Sequence, residues 1–153
     1  MAIAFVKGDV TSPQGEGKKI ICHVCNDIGL MGAGVAAAIA SKWPIVKKHY
    51  LEMKKDGYVL GSVQVIKIGE DLSVANMIGQ HGVRSAWNPH PVRYDAIRTC
   101  LQKLKAVSKD RGASLHMPKI GSGLVGGDWS LILPLVEKEL SDEGVLVTVY
   151  DIR

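Results

Sequence analysis

The 153-residue chain has no apolar run near the roughly 20 residues that a membrane-spanning helix needs. Met1–Asp9 is apolar but short, and no cleavage signal follows it. Cysteine is scarce: Cys22, Cys25 and Cys100 make an odd count that no disulfide framework explains, which points to a reducing, cytoplasmic setting. There is no basic tail, internal repeat, linker or low-complexity stretch. The dinucleotide fingerprint and the Gly-Lys-Ser/Thr of a phosphate loop are both missing. What is present is 46% hydrophobic and 22% charged residues, enough for one ordinary packed domain covering residues 1–153. The net charge of +4 suits an anionic ligand without itself indicating nucleic acid.

Glycine is abundant, with seventeen residues, several of them gathered in Gly29–Gly34 and Gly121–Gly127. Hydrophobic patterning predicts strands at Ala2–Lys7, Lys19–Cys25, Ser62–Ile68, Leu72–Ile78, Ser114–Ile120 and Val145–Tyr150. Helices are expected over Val35–Lys42 and from Pro44 to about Lys55. Trp43-Pro44 separates them because the residue before proline avoids helical geometry. Tyr94, Ile97, Leu101, Leu104 and Val107 recur at helical spacing within Arg93–Arg111, and Gly112 supplies the stop. A last helix runs from the N-cap Asp128 to about Asp142, with a kink or later start at Pro134. The loop His81–Pro91 reads as exposed. Alternating strands and helices predict a three-layer α/β/α sandwich with a central mixed sheet.

Each glycine cluster lies between a predicted strand and a predicted helix. Ligands of such sheets sit beyond the carboxyl ends of the strands, where bare amides and helix N-termini surround an anion. Glycine lets a ligand approach the backbone closely. A pair of such loops suits a diphosphate; two tight turns would also account for the glycines. Cys22-His-Val-Cys25 has metal-like spacing, but residues three apart on a strand face opposite ways, so no metal is assigned. His23 reads as a core residue, and His81 and His90 as isolated loop residues. Trp87 either covers a ligand or packs the loop.

Gly8-Asp9-Val10-Thr11, Ile21–Asn26, Met31–Ala36 (MGAGVA), Met117–Leu124 (MPKIGSGL) and Val147–Asp151 (VTVYD), in this order, resemble the signature segments of macrodomains. MGAGVA and MPKIGSGL are most similar to the branch of terminal ADP-ribose protein glycohydrolase and ADP-ribose-1″-phosphate phosphatase. The resemblance implies that Asp9 and Val10 meet the adenine, that Tyr150 stacks on it, and that Asn26 bonds the distal ribose. Met31, Gly32, Gly34 and Val35 of the first loop, and Gly121, Ser122, Gly123, Leu124, Val125 and Gly126 of the second, would line the diphosphate. Two plainer roles stay open: Asp9 as the cap of a turn, and Tyr150 as an ordinary strand residue.

The glycohydrolase branch uses a lysine where Gln80 stands and an aspartate where Val125 stands. Glutamine forms no Schiff base and valine is no base, so that mechanism is not expected here. Asn26 and Gln80 are then the catalytic candidates, acting on a positioned water, with Asp27 and His23 nearby. The implied function is binding of ADP-ribose with hydrolysis of one of its derivatives: an ADP-ribosyl glutamate or aspartate ester, O-acetyl-ADP-ribose or ADP-ribose-1″-phosphate. The alternative is a reader that binds without chemistry. No cofactor is implied. The partner is ADP-ribose or an ADP-ribosylated substrate, a nucleic-acid partner is left open without indication, no membrane is involved, and the chain is expected to be a monomer.

Overall fold

The computed structural model describes residues 3–123 and 126–152. Six strands form one sheet: β1 (Ala4–Lys7), β2 (Lys19–Asn26), β3 (Val63–Lys67), β4 (Leu72–Gln80), β5 (Ser114–Pro118) and β6 (Val147–Asp151). Their spatial order is β1-β6-β5-β2-β4-β3. Only β3 runs antiparallel, against β4; the other neighbours are parallel, so the sheet is mixed as expected. β2 and β4 sit inside the sheet and read as near-continuous buried runs, which parallel strands covered on both faces require.

The helices are α1 (Gly34–Lys42), α2 (Pro44–Glu52), α3 (Tyr94–Arg111) and α4 (Trp129–Glu139). Pro44 starts α2, where its missing N–H costs nothing. Gly112 ends α3 at φ +63°. Asp128 caps α4 by accepting from Ser130 N–H at 2.9 Å. Of the two alternatives expected at Pro134, a kink or a later start, the later start is not found: the helix begins at Trp129 and carries the proline within it. A strong N-cap and a buried stripe of Ile132 and Val136 outweigh the lost backbone bond.

The two sheet faces bury separate cores. Under α3 and α4 lie Cys22, Met77, Ile97, Leu101, Leu104, Leu115 and Val136. On the other face, Ile21, Ile39, Val46 and Val74 form one cluster and Cys25, Met31, Tyr50 and Ile78 another. Cys22 and Cys25 thus point into opposite layers, as strand geometry demands. Among the described residues no helix is long and apolar enough to cross a membrane. Leu104 is fully buried at the centre of the α3 contact. Leu104→Ala is expected to lower stability by about 2–5 kcal/mol, read from urea unfolding.

Candidate functional site

All the parallel strands end on the same side of the sheet, and a cleft of about 1070 Å³ opens there. Its walls come from the end of β1 (Gly8, Asp9, Val10), the end of β2 (Asn26), both glycine loops, Gln80 and Tyr150. Segments more than a hundred residues apart in the chain therefore share one cavity, and its size suits a ligand well above a single nucleotide base.

The first glycine loop is held by the side chain of Asn26. Its Oδ1 accepts from Ile28 N–H and Leu30 N–H, both at 3.1 Å, and from the Tyr50 hydroxyl at 2.8 Å. Its Nδ2 donates to the Leu30 carbonyl at 2.6 Å. Asn26 is buried. With Oδ1 occupied by the protein, Asn26 positions the loop, and only the second Nδ2 hydrogen is left for a ligand in the cleft it lines. Gly29 takes φ +80°, and a Cβ there would lie 2.8 Å from the Tyr58 hydroxyl, so glycine alone fits this turn.

Beyond that turn the loop delivers Met31, Gly32, Gly34 and Val35 to the cleft. Met31 is buried and its side chain packs with Tyr50 and Cys25, so only its backbone serves the cavity. Ala33 caps α1 without a side-chain bond. Among the described residues, no protein acceptor takes the N–H of Gly32, Gly34, Val35 or Ala36. These amides, at the positive end of a helix, form an open anion-binding edge.

The second loop is less open than expected. Ser122 N–H donates to the Lys119 carbonyl at 3.2 Å, and its hydroxyl bonds the same carbonyl. Gly126 N–H donates to the Gly123 carbonyl at 3.0 Å, and Gly126 does not line the cleft. Ser122 lines the cleft but its N–H is turned to Lys119, which corrects it as an amide donor, and Gly126, expected to line the diphosphate, belongs to a self-bonded turn outside the lining. Gly121 and Gly123 line the cleft with N–H groups that no described residue accepts, while Leu124 and Val125 lie outside the described residues. A Cβ on Gly127 would stand 1.9 Å from the Gly121 carbonyl oxygen, so this loop closes on itself backbone to backbone.

At the opposite end of the cleft, Asp9 Oδ1 accepts from both the N–H and the hydroxyl of Thr11 at 2.8 Å. These bonds hold the Asp9 carboxyl below its ordinary range. The turn-capping role is thus real, and Oδ2 still has no protein partner among the described residues. Val10 is buried beside it. Tyr150 lines the cleft but is 3% exposed, so it offers a ligand only a small part of its ring. Its hydroxyl accepts from Gln14 N–H at 2.8 Å and shares a hydrogen bond with His116 Nδ1 at 2.7 Å. The ring is the floor of the cleft.

Gln80 is 5% exposed and its Nε2 donates to the Gly82 carbonyl at 2.9 Å. Its Oε1 has no partner among the described residues and is not enclosed, and Gln80 lines the cleft. Asp27 turns away from the cleft: Oδ1 accepts from Gly82 N–H and Oδ2 meets His81 Nδ1, both at 2.7 Å. Burial raises the Asp27 carboxyl, but these bonds outweigh it and the net shift is downward. His81, expected to stand alone, is the partner of that carboxylate. His23 Nε2–H donates to Asn76 Oδ1 at 2.5 Å, and burial lowers its pKa to about 4. Desolvation also pushes the Cys25 thiol upward, so it carries no thiolate. The distal half of the cleft consequently holds no described group poised to take a proton near neutral pH.

Two outcomes follow. Tyr50→Phe removes the hydroxyl that serves both the carbonyl and Oδ1 of Asn26. It should cost about 1–3 kcal/mol in urea unfolding, since buried acceptors lose their donor. His23 and His116 both titrate near 4 in the fold, because burial disfavours the cation. The unfolded chain takes up these protons near pH 6.5, so stability should fall between pH 6.5 and 4, by about 3 kcal/mol for each ring. Urea midpoints that stay level across that window would show that the two rings are solvated.

The Macro domain family matches residues 22–135 of this chain. A macrodomain protein from Streptomyces coelicolor has a TM-score of 0.87 and 40% identity, covering 98% of this chain and 99% of that one. Mouse chromodomain-helicase-DNA-binding protein 1-like is 31% identical over 97% of this chain, which spans only 18% of that protein. The ADP-ribose 1″-phosphate phosphatase of Lodderomyces elongisporus is 28% identical across 90% of this chain and 92% of its own length. A cleft at the carboxyl ends of a mixed six-stranded sheet, lined by two glycine loops, and a family match over most of the sequence agree: this chain belongs to the macrodomain family.

Proposed function

We propose that residues 1–153 act as one monomeric macrodomain that binds ADP-ribose in the cleft. The observation that carries this reading is the row of unclaimed amides at Gly32–Ala36, facing Gly121 and Gly123 across one cavity that also contains Asp9. The diphosphate lies against those amides, and the adenine amino group donates to Asp9 Oδ2. The distal ribose lies over Gln80. The yeast relative named for ADP-ribose 1″-phosphate supports this ligand class.

We further propose that the chain hydrolyses an ADP-ribose derivative whose distal bond is already labile, an acyl ester before a phosphate monoester. Without a lysine at Gln80 or a poised base, positioning has to supply the rate. Gln80 Oε1 holds the attacking water by accepting a hydrogen bond from it, and the water's proton leaves to solvent. That no described group in the distal half is poised to take a proton near neutral pH favours a second reading, binding without chemistry.

Calorimetry with ADP-ribose should show binding that Asp9→Ala weakens by about tenfold or more, the worth of one charge-assisted hydrogen bond. Equal affinity in that variant rejects the adenine subsite. A glutamate-linked ADP-ribosyl peptide and ADP-ribose-1″-phosphate test turnover: release above buffer, reduced in Gln80→Ala, supports the hydrolase. Binding with no release from either assigns the reader.

A further inference from the structure

Asp9 owes its place to a short turn, and the turn is held in turn by a lysine from another element. Within the turn, Asp9 Oδ1 takes the N–H and the hydroxyl of Thr11, and the Asp9 carbonyl takes Ser12 N–H at 2.9 Å. The Thr11 carbonyl and the Ser12 hydroxyl are left over. Lys42 serves both: its Nζ donates to the Thr11 carbonyl at 2.5 Å and reaches Ser12 Oγ at 3.4 Å. Among the described residues, no other element hydrogen-bonds residues 9–12. Thr11 is 7% exposed, so water is a poor substitute for that donor.

Lys42 is the last residue of α1. An ammonium at that position can stay with the helix's own final carbonyls. This one crosses to the end of β1 instead, with Nζ 5.0 Å from the centroid of the Trp43 ring, which helps to hold it. Val10 and Ile39 share a buried cluster, so turn and helix belong to one packed unit. After the Thr11 bonds, and against a rise from burial, the Lys42 ammonium adds to the lowering of the Asp9 carboxyl.

α1 therefore serves the cleft from both ends. Its first residues carry the open amides of Gly34, Val35 and Ala36, and its last, about 12 Å further along at 1.5 Å per residue, fixes the turn of Asp9. We propose that Lys42 is a positioning residue for base selection: it holds the turn so that Asp9 Oδ2 stands where the amino group of adenine arrives when the diphosphate lies on the α1 amides. This rests on ADP-ribose occupying the cleft. A base with a carbonyl in place of the amino group brings an acceptor against a carboxylate and is refused. Without Lys42 the turn keeps its internal bonds but loses its tie to the helix, and the two bases are told apart less well.

The test titrates two ligands that differ in the base, ADP-ribose and its hypoxanthine analogue, into the full chain by calorimetry. The wild type should prefer adenine by about tenfold or more. Lys42→Met should shrink that ratio by about threefold or more through weaker ADP-ribose binding, while the hypoxanthine ligand stays within about twofold of wild type. Lys42→Arg keeps a charged donor and should hold the ratio within about twofold. Urea unfolding of each variant checks that the fold is intact. Lys42 is overturned as a positioning residue if Lys42→Met leaves the ratio unmoved, if it weakens both ligands alike, or if Lys42→Arg loses the ratio as fully as methionine does. A wild type that binds ADP-ribose without preferring adenine rejects the Asp9 contact and Lys42 with it. Failure of both ligands to bind rejects the cleft reading itself.

Discussion

The side chain of Asn26 is the joint on which the site hangs. It stands at the last residue of a central strand, and its amide ties the backbone of the first glycine loop to that strand and to the Tyr50 hydroxyl of α2. A loop rich in glycine has the most conformational freedom to lose. A buried amide making these bonds repays part of that cost and sets where α1 begins. The open amides of Gly34 and Val35 are a consequence: the chain enters the helix without a capping side chain, and the donors are left for a ligand.

The two glycine loops therefore do different work despite similar composition. The first is anchored from below and keeps its donors outward. The second spends the N–H groups of Ser122 and Gly126 on its own carbonyls and packs Gly127 against Gly121. One loop is an anion edge and the other a shaped wall that adds a few donors. A similar division runs through the buried polar groups. His116 and Tyr150 link a chain of bonds beneath the cleft, connecting Gln14 N–H, the tyrosine hydroxyl, the imidazole and Ser114. Both histidines of the interior are neutral because burial is costly for their cations. The cavity thus meets an anionic ligand with dipoles, and its unpaired cations, Arg84 and Lys47, are on exposed side chains. That arrangement favours recognition and positioning over proton transfer.

Much of this architecture was legible in the chain itself. Strand and helix periods, the Trp43-Pro44 break, the Gly112 stop and the Asp128 cap depend on neighbours a few residues away, and local sterics and hydrogen bonding decide them. The family signatures placed Asp9, Val10, Asn26, Gln80 and the loops at one cavity. Their partners were not legible. That Asn26 meets Tyr50, that Tyr150 bonds His116, and that Asp27 meets His81 are contacts between segments distant in sequence. Pro134 shows the same limit from the other side, a local rule overruled by a buried helix face.

The residue types, their order and the spacing of glycines were determined by the sequence alone, because strand-to-helix turns and bare backbone are local properties. Which amide stays free and which hydroxyl is spent was decided only when the sheet brought the ends of β1, β2, β4, β5 and β6 together. A hydrogen-bond donor can be promised to one acceptor at a time, and no pattern along a chain records which acceptor will be nearest once the layers close.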